Sequence, residues 1–132
     1  MANHAPGTGT QVGNFWVSSS PSDWQNAKAY CDKAGMKLVS IETADKNAEL
    51  LKVLDSLGVD RVWTSGTDAP SDGNYMWAST GAPFDYTNWA RGVTPRHASD
   101  NYVYLGTSTY FGNGRSGWDV ANGEDALRFI GE

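Results

Sequence analysis

Five aspartates, Asp68, Asp72, Asp85, Asp100 and Asp119, fall in or beside segments crowded with turn residues. Carboxylate oxygens converging from loops are what a calcium ion requires. Taken singly, each is as readily a solvated side chain that stabilises its own turn. The other reactive side chains lack partners. His4 stands near the N-terminus and His97 in a loop, with no second His or Cys close to either, so a zinc site or a nucleophilic triad lacks parts. That speaks for a binding protein rather than an enzyme. The glycine-rich GTGTQVG and GNGRSG do not each follow a strand and open a helix, as a phosphate loop must, and read as hinges or turns. Of the six tryptophans, Trp16, Trp24 and Trp63 fall within periodic elements and read as core. Trp77, Trp89 and Trp118 fall in the irregular half, where they either build a small core beneath the loops or leave one ring exposed as a stacking platform. Core is the better reading for Trp77 and Trp89, and Trp118 is open to either role.

These residues need elements to hold them. After a flexible lead-in over residues 1–13, NFWVS (14–18) reads as a first strand and SSPS as its breaker. Ser22 with Gln25 three residues on forms a capping-box pattern, Trp24, Ala27, Cys31 and Ala34 share one helical face, and Gly35 ends that helix. MKLVSIE reads as a short buried strand through Leu38, Val39 and Ile41. Thr43 caps a second helix running to Leu57, with Leu50, Leu51, Leu54 and Leu57 as its apolar stripe and Gly58 as its stop. RVWTSG is a strand, and turn signals then recur every few residues to about residue 101. NYVYLG alternates as a strand, GNGRSG turns, and ALRFIGE closes the domain as a strand over residues 14–132. Two helices early and a meander of short strands late predict an α+β fold.

Composition excludes several classes. With 132 residues the chain suits one core, and its net charge of −5 with ten scattered Lys and Arg offers no basic patch, so nucleic acid is not a partner. No window reaches about 18 consecutive apolar residues, which predicts no membrane insertion. MANHAPGTGTQVG lacks the basic and apolar regions of a signal peptide. Cys31 is the one cysteine, so no intrachain disulfide can form.

WQNAKAYCDKAGMKLVSIET, VWTSGTD, NYMWASTGAPFDYTNWARG, GWD and LRFIGE resemble, in order and spacing, the C-type lectin-like domain, particularly its arthropod members, from about residue 14 to the last residue. The resemblance implies a double-looped α+β fold: two helices flank small antiparallel sheets, the chain ends pair, and a long loop with its own aromatic core carries the ligand at its rim. It implies a secreted protein, whereas the lone cysteine is equally at home in a reducing compartment.

The departures are as informative. The family usually carries two disulfides, one from the first helix to the last strand and one from the strand after the long loop to the segment before the last strand. Cys31 matches the first position, and Tyr102, Gly123 and Gly131 stand at what look like the others. The outer bridge would close a loop of about a hundred residues and contribute on the order of 4 kcal/mol. Calcium-dependent members present Glu-Pro-Asn or Gln-Pro-Asp in the long loop and Trp-Asn-Asp after it. Thr94, Pro95 and Arg96 replace the first triplet, one residue late, and Trp118, Asp119 and Val120 the second. Asp100 and Asp119 are the carboxylates left as metal ligands, with Arg96 adding a positive charge nearby, so calcium binding is expected to be weak or absent.

The leading expectation is therefore a non-enzymatic module that recognises a carbohydrate or glycoprotein through its long-loop face. Thr94, Arg96, Asp100, Asn101, Tyr110, Trp118 and Asp119 are the candidate ligand residues. The alternatives are calcium-independent binding of a protein partner, of ice through the Thr- and Ser-rich GTSTYFGNGRSG, or a cysteine-depleted scaffold, natural or engineered.

Overall fold

Thr43, whose hydroxyl can accept a backbone N–H, and Gly58, which can take positive φ, bracket a helix as their types dictate. The computed structural model describes residues 9–95 and 101–132. In chain order its elements are β1 (Gly9–Val12), β2 (Phe15–Ser18), α1 (Trp24–Lys33), α2 (Ala44–Leu57), β3 (Arg61–Thr67), β4 (Met76–Trp77), β5 (Ala82–Pro83), β6 (Tyr102–Gly106), α3 (Ser108–Phe111), β7 (Gly117–Ala121) and β8 (Arg128–Gly131). The Thr43 hydroxyl accepts from Lys46 N at 3.1 Å, and Gly58 stops α2 at φ 68°.

The shorter helix corrects one expectation. Its cap is Asp23, whose carboxylate accepts from Asn26 N at 2.8 Å, and not Ser22. Ser22 is committed elsewhere: its backbone exchanges hydrogen bonds with Leu127 at 2.8 and 3.0 Å, and its carbonyl accepts from Trp63 Nε1. The lead-in expected over residues 1–13 is also shorter than that, because Gly9–Val12 forms β1 and pairs with β2 through the turn at Gly13. MKLVSIE is not a strand. Leu38 makes a single bridge to Gly131, and the segment is held by isolated bonds such as Val39 N to Ile130 O and Ser65 N to Val39 O.

The strands are ordered β1-β2-β8-β3-β4-β5, with β6 pairing both β3 and β7. β8 lies antiparallel to β2 and parallel to β3, so it joins the chain-end hairpin to the rest of the sheet. Two aromatic-rich layers form the core. Beneath α1, Trp24, Cys31, Leu38, Trp63, Tyr104 and Phe129 pack together. Leu50 and Leu54 of α2 share the second layer with Ile41, Trp77, Trp89 and Trp118, so the later tryptophans do not make a separate small core. Leu51 and Leu57 only flank this layer.

Both positions where the resemblance implies a cross-link are in contact. Gly131 faces Cys31 across the gap between β8 and α1, and Gly123 faces the Tyr102 ring. A Cβ at residue 123 would fall 2.6 Å from that ring, so the missing side chain is what admits it. Tyr102 also packs on Trp24 with centroids 4.5 Å apart, and Gly123 O accepts from Trp24 N at 2.8 Å. Aromatic packing and a helix-end hydrogen bond occupy the place of a bridge.

Candidate functional site

Two feet hold the long loop. At one, Thr67 Oγ1 donates to Asn101 O at 2.6 Å and Asp68 N donates to the same carbonyl at 3.1 Å, tying the loop's departure from β3 to its return at β6. Asp68 then organises the first bend: its carboxylate accepts from Gly73 N at 2.8 Å and its carbonyl from Ser71 N at 3.0 Å. Burial, against the pull of the Gly73 hydrogen bond, raises the Asp68 pKa above the usual carboxylate value, and the nearby Asp72 charge adds to that. At the other foot, Trp118 N donates to Asn88 O and Ala90 N to Trp118 O, both at 2.9 Å. Gly117 permits this close approach, since a Cβ there would lie 2.6 Å from Asn88 O.

Between the feet the loop rests on rings. Phe84 stacks on Trp77 with centroids 4.1 Å apart, and Trp118 meets Trp77, Phe84, Tyr86 and Trp89 edge to face. Gly66 makes room for Phe84, whose ring comes within 2.7 Å of where a Cβ would sit. Such offset and edge contacts hold irregular backbone in place by ring geometry and apolar burial. Against this floor lies an open pocket of about 320 Å³, lined by Tyr75, Phe84 and Trp89 on its apolar side and by Asn74, Thr87 and Thr94 among its polar groups.

The structure divides the candidate residues. Thr94 is exposed and lines this pocket. Asn101 serves the loop's foot through its carbonyl. Trp118 is a correction: it is fully buried, and its indole N–H donates to Asn47 Oδ1 of α2 at 2.8 Å, so its face is covered by other rings and no ligand stacks on it. Asp119 and Tyr110 flank one residue. Asp119 pairs across the sheet with Tyr104, and the Tyr110 ring stands edge-on to Tyr104 at 5.8 Å. Tyr110 is partly exposed and is covered by the Arg61 guanidinium, 4.3 Å from its ring centre. Arg96 and Asp100 lie outside the described residues.

Asp119 shows how far the site fits calcium. Its Oδ2 lies 3.4 Å from Arg91 Nε, and its Oδ1 accepts from Val120 N at 2.8 Å. The exposed Arg91 charge competes with a cation for this carboxylate and repels one nearby. Asp72 and Asp85 are exposed, and among the described residues no three His, Cys, Asp or Glu side chains group so as to hold a metal. The described residues therefore do not fit a calcium site. No helix among them is long and apolar enough to cross a membrane. The Thr- and Ser-rich run coils into α3 and a glycine turn, with Thr107 buried at its start.

Sequence reading missed Arg91, Tyr75 and Phe84. A basic residue two places after Trp89, opposite in sign to the aspartate after Trp118, was the available signal for the first of these.

Comparison with known proteins agrees with this geometry. The model of the lectin C-type domain matches residues 20–130. The chain is 31% identical over 136 residues to "C-type lectin mosGCTL-7" of Culex quinquefasciatus, covering 96% of this chain and 75% of that protein. Among solved structures, the mouse scavenger receptor C-type lectin carbohydrate-recognition domain superposes with a TM-score of 0.75 at 20% identity, over 96% of this chain and 94% of that one. A calcium-independent type II antifreeze protein superposes with a TM-score of 0.74 at 20% identity, over 96% and 92%.

Proposed function

The chain belongs to the C-type lectin domain family, and from that premise we propose that it is a non-enzymatic module recognising a carbohydrate or glycoprotein through its long-loop face without depending on calcium. The observation that carries this reading is the Arg91–Asp119 pair, which commits the one described carboxylate of the expected metal pair to a guanidinium. The match to a lectin and to a carbohydrate-recognition domain supports sugar as the ligand class. In place of a metal, exposed side chains offer hydrogen bonds and a ring: Thr94 and Arg91 from the long loop, and Tyr110 with Arg61 stacked upon it. The family resemblance also supports a secreted protein.

The test is a glycan panel read in EDTA and again in calcium, with a thermal melt in each. A domain that binds calcium only when folded gains stability as RT ln(1 + [Ca]/Kd). The expected result is glycan binding and a melting temperature that are the same in both. A melt that rises with calcium overturns the calcium-independent part of the reading. A panel empty in both conditions overturns sugar, leaving the same fold binding a protein or, as in the antifreeze neighbour, ice.

A further inference from the structure

Two Asn-Gly pairs occur in the chain, Asn113-Gly114 and Asn122-Gly123, together with one Asp-Gly pair, Asp72-Gly73. At such a pair no Cβ shields the glycine nitrogen, so it can approach the carbonyl carbon of the preceding side chain and close a five-membered ring. The fold treats the three pairs differently. Gly73 N is engaged, donating to Asp68 Oδ2 at 2.8 Å. Asn122 is held at both of its carbonyl groups: Oδ1 accepts from Glu124 N at 2.9 Å and the main-chain oxygen from Asp125 N at 3.0 Å. Its glycine is fixed as well, since Gly123 O accepts from Trp24 N at 2.8 Å and the residue lies against the Tyr102 ring.

Asn113-Gly114 is the exception. Both residues are exposed and form the centre of a turn closed by Arg115 N donating to Gly112 O at 3.0 Å. Their φ values of 55° and 70° are those of a type I′ turn, whose closing bond spans the central pair without engaging it. Among the described residues, neither the Gly114 N–H nor the Asn113 carboxamide has a hydrogen-bond partner. A Cβ added at Gly114 would meet nothing within 4 Å beyond its chain neighbours, so there is room about this peptide for water and base. Bringing the two groups into line for attack breaks the exposed Arg115 bond alone, and it releases Asn113 from a left-handed conformation that is costly for a residue with a Cβ.

We infer that Asn113 is a modification site, at which the folded protein deamidates spontaneously through a succinimide. Gly114 N gives its proton to base and bonds to Asn113 Cγ; the Cγ–Nδ2 bond breaks, and the amide nitrogen takes up a proton and leaves as ammonia. Water then adds to one of the two ring carbonyls and breaks that carbon's bond to the Gly114 nitrogen. Opening at Cγ leaves aspartate, and opening at the Asn113 main-chain carbonyl leaves isoaspartate, whose main chain runs through Cβ and Cγ. One water is consumed and one ammonia released, and nothing is oxidised or reduced. The product is one unit more negative than the chain's −5, and the isoaspartyl form lengthens the turn by a methylene. Tyr110, a candidate ligand residue, thus stands three positions from a site whose charge changes as the protein ages.

The experiment incubates the native protein in mildly alkaline buffer at physiological temperature and follows ammonia release, peptide masses, and isoaspartate by enzymatic methyl transfer. A urea-unfolded sample and the variant Asn113→Gly, which suits positive φ and lacks the carboxamide, run beside it. In the folded protein Asn113 is expected to convert at least about tenfold faster than Asn122, because fewer bonds must open, while both convert in urea. Ammonia release from native Asn113→Gly should be close to background. A native protein in which Asn113 stays intact while the unfolded sample converts overturns the site. So does native conversion of Asn122 as fast as that of Asn113, or undiminished ammonia release from the variant.

Discussion

The Cβ that a side chain at residue 131 would carry falls 3.1 Å from Cys31 Sγ. That is close to the roughly 3.0 Å that separates a Cβ from the partner sulfur across a bond of about 2.04 Å. The helix and the last strand have kept the spacing of a cross-link although only one half of it is present. Met36 also approaches this position, with Sδ at 3.2 Å, and its flexible thioether can shift aside.

The variant Gly131→Cys is therefore expected to form a bridge to Cys31 on oxidation. Closing a loop of about a hundred residues stabilises by up to about 4 kcal/mol, a rise on the order of 10 °C in melting temperature. Melts of the variant with and without reductant measure it. An oxidised melt no higher than the reduced one would mean that strain cancels the gain.

In the protein as it stands, Cys31 is expected to be inert. Burial, with help from the Asp32 charge, pushes its thiol up to about 12, far above the range where thiolate forms at neutral pH. Labelling by a disulfide reagent should proceed no faster than unfolding, and reductant should leave the melting temperature unchanged. Fast stoichiometric labelling of the native protein would contradict the buried position.

Trp118 should behave as a structural residue. Trp118→Ala is expected to cost about 3–5 kcal/mol, measured by urea unfolding. Trp118→Phe keeps a ring but leaves Asn47 Oδ1 without its donor, and should cost about 1–3 kcal/mol. A folded, stable Trp118→Ala that has merely lost ligand would restore the stacking role.

Asp68 sets a pH dependence. Because its folded pKa is raised, folding favours its protonated form, so its contribution to stability is present below the usual carboxylate value and is lost as pH rises through the raised one. Asp68→Asn retains an acceptor for Gly73 N and carries no charge. The variant should melt above the wild type at pH 7, with the difference vanishing below about pH 4. A variant that melts lower at every pH would show that the ionised carboxylate is what the bend requires.

Arg91→Ala should matter little to stability. The guanidinium is 69% exposed, so its pair with Asp119 is worth about 1 kcal/mol or less and should disappear from melts at high salt. A large, salt-independent loss would give Arg91 a packing role.

Elements with local causes were legible from sequence. Thr43, Gly58 and Gly35 mark helix ends because capping and positive φ are decided within a few residues. The buried places of Trp77 and Trp89 and the double-loop fold were legible from the residues and the order of their motifs. What escaped depends on contacts far along the chain. Ser22 loses the cap because Leu127 engages its backbone, and Leu38–Ile41 fails as a strand because its bonds go to β8 and β3 one at a time. Trp118 is buried among loop rings and donates to an asparagine 71 positions away, and a polar residue on a helix gives no hint of the indole it will meet. The Arg91–Asp119 pair is of the same kind, since Arg91 lies in a turn-rich stretch whose path no local pattern specifies.

The placement of β8 has a consequence for how the protein comes to be folded at all. Synthesis passes β2 and β3 long before it reaches Arg128, yet these two strands do not neighbour each other; β8 lies between them. Until that segment emerges, β2 and β3 lack the strand that lies between them in the finished sheet, so neither has its final pairing on that side. Pairings so far apart in sequence close slowly, and open edges invite association with other chains. The time before β8 becomes available is thus when association through the open edges of β2 and β3 is most favoured.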